Sequence, residues 1–255
     1  MTAETPTIAK PSGFWSLANP TRFMGFANKA VPILAALTTV LFIWGLYLSF
    51  NAPEDYQQGA TVLIMFIHVP AAWLAMMTYS VMSISAIGYI VWRHPLADVS
   101  LRSAAPLGAV FTFLALATGS LWGKPMWGTW WEWDARMTSV LILLIIYFGL
   151  IALAHAFDEP SEASMPLAVM TLTGFVIIPI IKFSVDWWNT LHQPASVSHF
   201  DKPAMDAAFL YPLLVMALAY IALFFTLHMM AMRNEVLARR IRSLKLASAR
   251  QKRGP

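Results

Sequence analysis

Between Trp122 and Trp133 the chain carries five tryptophans, Trp122, Trp127, Trp130, Trp131 and Trp133, followed at once by Asp134 and then by Arg136. The rest of the 255 residues hold only six of its 11 tryptophans. Each indole joins a large apolar face to a single N–H donor. Five of them on one short segment make an aromatic platform suited to a large planar ligand. Interfacial belts place one or two aromatic rings at a helix end. That accounts for Trp15, Trp44, Trp73 and Trp92 but not for this cluster.

The elements that position the platform are membrane spans. The composition is 58% hydrophobic and 12% charged, half the charge of an ordinary soluble domain, and mean hydropathy is +0.62. Cysteine is absent, which excludes disulfide frameworks, thiolate metal sites, Fe–S clusters and cysteine nucleophiles. A bilayer core needs about 20 helical residues to cross it. Six segments meet that length: 30–50, 61–92, 104–121, 137–155, 166–185 and 207–232. Backbone in lipid must satisfy itself, so these segments predict an all-α, polytopic membrane protein with six transmembrane helices. The layout is a segment 1–29, a membrane domain 30–232 that includes an aromatic loop 122–136, and a basic tail 233–255.

With the N-terminus inside, thirteen Lys and Arg residues fall on one side and Lys124, Arg136, Lys182 and Lys202 on the other. The positive-inside rule then places both termini in the cytoplasm. The net charge of +4 records topology and predicts no nucleic-acid partner. Parity puts the loops after spans one, three and five on the outer face. The tryptophan segment follows span three, and His192 lies in the loop after span five. His68 stands at the outer start of the long second span. If only the last ~20 residues of that span are embedded, His68 sits about 7 Å above the membrane boundary. Two histidines far apart in sequence therefore converge on the platform.

Imidazoles beside an aromatic surface point to haem, whose iron takes axial histidines and whose macrocycle needs stacking partners. His68 and His192 are the candidate axial ligands, with His199 as the rival to His192. Lys124, Arg136 and Lys202 are candidates for the propionates, Arg136 first because it lies just behind the platform. Asp134 precedes a span and suits an N-cap, with or without a part in the site. His94, His155 and His228 lie toward the other side and receive no role. Two rival classes remain. A b-type electron-transfer cytochrome would want histidines at mid-membrane depth. A permease subunit would use its tryptophans only as anchors. A metal hydrolase would need an acid–base set such as His-Glu-x-x-His, which does not occur.

The run from Trp122 to Ser139, with its Trp-Trp-x-Trp-Asp-Ala-Arg-Met-Thr-Ser ending, resembles the WWD signature of haem-handling membrane proteins. Together with Trp187-Trp188-Asn189-Thr190-Leu191-His192-Gln193, it resembles the CcmC (haem exporter protein C) family of bacterial cytochrome c maturation. The resemblance covers nearly the whole chain. It implies haem b held at the periplasmic face of the inner membrane by His68 and His192, over the platform Trp122, Trp127, Trp130, Trp131, Trp133, Asp134 and Arg136. It also implies delivery of haem to the periplasmic chaperone CcmE. The implied partners are the ATP-binding cassette subunits CcmA and CcmB and the small membrane protein CcmD. The implied role is transport and delivery, not catalysis.

Overall fold

The computed structural model describes residues 19–188, His192 and residues 205–252. Among the described residues seven α-helices follow one another: α1 Pro20–Phe50, α2 Met65–Trp92, α3 Pro95–Trp127, α4 Ala135–His155, α5 Pro160–Gly174, α6 Ile177–Trp187 and α7 Ala207–Lys252. A 3₁₀ turn, Ala60–Ile64, leads into α2. With α5 and α6 taken as one crossing, six helical stretches among the described residues are long and apolar enough to span a membrane. The protein is a multi-pass, all-helical membrane protein, as the hydropathy pattern predicts.

The fifth crossing differs from the unbroken helix expected at 166–185, and the sequence explains the break. Pro179 has no N–H to give the Phe175 carbonyl, which accepts instead from Ile178 at 3.0 Å. Upstream, the Tyr79 hydroxyl donates to the Thr171 carbonyl at 3.1 Å, while the Phe175 N–H shifts to Leu172 at 3.2 Å. A missing donor and a diverted acceptor within one turn open the ladder, a recognised origin of kinks. The segment 233–252, read as a tail, continues α7, whose 46 residues reach about 69 Å at ~1.5 Å per residue.

In the interior, Tyr79 and Tyr147 meet edge to face at 5.4 Å, and the Tyr147 hydroxyl donates to the Ala75 carbonyl at 2.7 Å. Both rings are wholly buried. A Cβ on Gly108 would lie 2.1 Å from the Tyr147 ring, so α3 meets α4 across a position only glycine fits. Lipid cannot drive helices together hydrophobically, and close approach at small residues does that work instead.

The ends of the bundle have different chemistry. Where α3 and α5 start and α7 runs on, Arg102 and Arg239 close on Asp98; we call this the basic end. His228, also buried, belongs to this half and is hydrogen-bonded through Nε2 to Ser100 at 3.1 Å. The opposite end, where α3 and α6 finish and α2 and α4 begin, carries the tryptophans; we call it the aromatic end.

Candidate functional site

The last turns of α3 build one half of the aromatic end. Ala115, Thr118, Gly119 and Trp122 recur at helical spacing and share a face, and His68, near the start of α2, lies on it. The His68 Nδ1 sits 3.0 Å from the Ala115 carbonyl and 3.1 Å from the Thr118 hydroxyl. A carbonyl only accepts, so Nδ1 carries the proton; Thr118 gives its own proton to Leu114 at 2.7 Å and accepts from the ring. A Cβ on Gly119 would come within 3.0 Å of the His68 Cε1, so the imidazole lies flush against the α3 backbone. Trp122 meets the ring edge-on at 5.7 Å, and its indole N–H donates to Gln58 Oε1 at 3.0 Å.

The other half is organised by Asp134. Gly128 ends α3 in the left-handed region, at φ 77, where glycine carries no side-chain penalty. The chain then crosses to α4 through a short turn in which Thr129 Oγ1 donates to the Trp131 carbonyl at 2.8 Å. Asp134 is the N-cap of α4, with Oδ1 accepting from the Met137 N–H at 2.7 Å. Its Oδ2 accepts from His192 Nδ1 at 2.8 Å. One buried carboxylate thus caps a helix and orients an imidazole. His192 also packs edge-on against Trp127 at 4.8 Å. Burial holds the His192 imidazole below its usual pKa, although Asp134 favours the charged ring and offsets part of the effect.

His68 and His192 stand at the same end of the bundle, one against Trp122 and the other against Trp127. The tryptophans divide into two sets around them. Trp122 and Trp127 belong to α3 and not to a loop, since the helix runs on until Gly128 lets it stop. Each of these two rings touches one of the imidazoles. Trp130 and Trp133 face outward, 56% and 72% exposed, and Lys124 lies over the Trp130 ring at 6.0 Å. Trp131 is intermediate: its ring abuts Trp133 at 5.4 Å, and its buried indole N–H has no hydrogen-bond acceptor among the described residues. Arg136, on the first turn of α4, donates from Nε to Ser184 Oγ at 3.3 Å, which ties α4 to α6. Trp187 and Trp188, both more than half exposed, continue the aromatic surface beyond α6. His199 and Lys202 lie outside the described residues.

Comparison with known proteins addresses the resemblance directly. The family model described as "Heme exporter protein C" matches residues 13–247. The chain belongs to the Heme exporter protein C family. Within it, the Heme exporter protein C of Bradyrhizobium diazoefficiens is 63% identical over 233 residues, covering 91% of this chain and 89% of that one. That of Escherichia coli K12 is 45% identical, covering 87% and 89%. A protein of Marchantia polymorpha named as a putative cytochrome c biosynthesis ccmC-like mitochondrial protein is 46% identical over 72% of this chain and 78% of its own.

For this family member the structure adds residues that inspection of the signature misses. Ala115, Thr118 and Gly119 hold His68, Gln58 holds Trp122, and Ser184 holds Arg136. Part of this was readable: the small residues at 115 and 119 share the Trp122 face of α3 and leave room for a ring. Gln58 and Ser184 carry no such signal, because their partners lie on other elements.

Proposed function

We propose that the aromatic end binds haem as cargo, with His68 and His192 as the axial pair, and presents it for delivery. The observation that carries this reading is the state of the two imidazoles. Each is held through Nδ1, by a carbonyl in one case and a carboxylate in the other. A ring held in that way coordinates iron through Nε2, and such outer partners fix its tautomer and orientation. Around the pair, the unpartnered Trp131 N–H is a donor available to a propionate. Arg136 and Lys124 add positive charge at the same end, Arg136 remaining the first choice. The outward-facing Trp130 and Trp133 supply exposed apolar surface beside the pair, the edge that this reading leaves open.

In this reading the aromatic end faces the periplasm, both termini are cytoplasmic, and haem b passes to the chaperone CcmE during cytochrome c biogenesis. CcmA, CcmB and CcmD complete the complex in the inner membrane. The protein's part is to bind, orient and present: His68 and His192 hold the metal, the tryptophans exclude water from the ring face, and the open edge admits the acceptor.

The test is the absorption spectrum of the purified protein, alone and with His68→Ala and His192→Ala. Loss of the Soret band in the double variant and a shifted band in each single one are expected. A band unchanged by both substitutions would sink the axial assignment. Replacing Trp130, Trp131 and Asp134 together by Ala is expected to abolish chaperone loading while the protein still inserts; loading at the parental rate would remove the platform from the mechanism.

A further inference from the structure

The short connection between α1 and α2 is built with unusual care for a loop. Asp55 Oδ1 accepts from the backbone N–H groups of Gln57 and Gln58, both at 2.9 Å. Asp55 and Gly59 pair through their backbones, with Gly59 N–H to Asp55 carbonyl at 2.8 Å and Asp55 N–H to Gly59 carbonyl at 3.3 Å. The Gln58 carbonyl accepts from the Thr61 hydroxyl at 2.7 Å. Gly59 closes the turn at φ 55 and ψ -140, a conformation open essentially to glycine alone. The backbone of Gln58 is therefore fixed on both sides before its side chain does anything.

That side chain reaches across to α3. Its Oε1 accepts from the Trp122 indole N–H at 3.0 Å, in a partly buried setting. Trp122 in turn lies edge-on against His68, which α3 holds from below through Ala115 and Thr118. The indole has one donor and no acceptor. Trp122 packs against the core, and the Gln58 bond adds direction to that packing by fixing where its indole N–H points.

We infer that Gln58 is a positioning residue for the haem site: it orients Trp122, which braces the edge of the His68 imidazole that α3 already holds at Nδ1. The role rests on the haem reading given above and deepens it. Gln58 touches neither iron nor macrocycle in this assignment; it acts through a single hydrogen bond and a single ring contact. The Asp55–Gly59 turn makes that bond pre-organised.

The chain Gln58–Trp122–His68 makes separable demands. Gln58→Leu removes the acceptor at similar size, Gln58→Glu keeps an acceptor oxygen, and Trp122→Phe removes the donor but keeps an aromatic ring. In the full-length purified protein, Gln58→Leu is expected to weaken haem binding about ten-fold, the low end for an outer-sphere partner, and to shift the low-spin ferric EPR signal that reports axial-imidazole orientation. Gln58→Glu is expected to restore both readouts. Gln58→Leu combined with Trp122→Phe should do no more than Trp122→Phe alone. A parental EPR signal in Gln58→Leu, or full additivity of the two substitutions, overturns the inference. A second measurement needs no haem: the Trp122 indole ¹⁵N–H resonance, assigned by its absence in Trp122→Phe, should move in Gln58→Leu and return in Gln58→Glu. An unmoved resonance overturns the hydrogen bond itself. If the parent binds no haem, the haem reading falls and this role falls with it. If the parent binds haem and loses it in His68→Ala, the haem reading stands and the Gln58 variants decide this inference alone.

Discussion

At the basic end Asp98 is 2% exposed, and guanidinium groups meet both of its oxygens, Arg102 at 3.3 Å and Arg239 at 2.6 Å. At the aromatic end Asp134 is 8% exposed and gives one oxygen to its own helix and the other to His192. Both are buried carboxylates at a helix terminus, yet their partners differ in kind. Arginine stays charged at any pH a protein meets, so Asp98 is neutralised permanently. Histidine titrates and has a second nitrogen for a ligand, so Asp134 governs something adjustable. At one end the buried carboxylate holds helices together through two arginines; at the other it holds a helix start and an imidazole that, in the proposed reading, faces the guest.

Removing Asp98 tests the first half of that contrast and carries the largest expected effect on folding. Asp98→Ala leaves the buried Arg102 without its anion and Arg239 with Glu235 alone, at 2.6 Å. Breaking a buried pair in this way costs about 3–5 kcal/mol, and thermal unfolding in detergent should show a pronounced drop in Tm. The haem spectrum of the surviving folded fraction should match the parent. A lost Soret band with an unchanged Tm would erase the distinction between the two ends.

Asp134 separates structure from ligand control at a single residue. Asp134→Ala removes an N-cap worth about 1 kcal/mol and the partner of His192. Outer-sphere losses of that kind weaken metal binding about 10–100-fold. Asp134→Asn keeps a capping oxygen but loses the charge. It should recover most of the stability and only part of the haem affinity, measured by haem titration beside thermal unfolding. If Asn recovers both equally, the carboxylate serves as a cap alone.

A pH titration sharpens the same point with a smaller effect. A free imidazole titrates near 6.5, and burial holds His192 below its ordinary value. The native state therefore favours the neutral ring. That contribution is complete above the unfolded pKa and is lost as pH falls through the lowered native one. Protonation also removes the lone pair that iron needs. Haem occupancy should be level above about pH 6.5 and decline in acid, and Asp134→Asn, which strips away the charge favouring the protonated ring, should move the midpoint lower still. A midpoint that moves upward would mean that Asp134 does not act on His192 electrostatically.

The spans, the aromatic cluster and both histidines were legible because each depends on residue type at short range. Hydropathy alone identifies helices that lipid must accept, and parity alone brings the loops of His192 and Trp130 to one end. The break in the fifth crossing was half legible: Pro179 was visible, but the Tyr79 hydroxyl that takes the Thr171 carbonyl comes from 92 residues away. Asp134 as a cap could be read from its place before a span, whereas its bond to His192 needed the fold. Gln58 was silent for the same reason. A glutamine in a polar loop looks like a solvated side chain until α3 brings Trp122 to it.

The smallest expected effect lies at the basic end and asks whether burial, rather than charge, sets the contrast. Arg242 approaches Glu159 at 3.5 Å, but the two side chains are 43% and 44% exposed. Water already screens both, so the pair gains little on forming and forfeits little on breaking. Arg242→Ala should change stability by no more than about 0.5 kcal/mol, against the several expected for Asp98 in the same ion-rich region. Melting curves of the two variants in the same detergent make the comparison, and added salt should narrow any difference for Arg242→Ala while leaving Asp98→Ala nearly unmoved. Equal losses from the two variants would show that the basic end is held by its overall charge balance and not by the one carboxylate that helix packing has sealed from water.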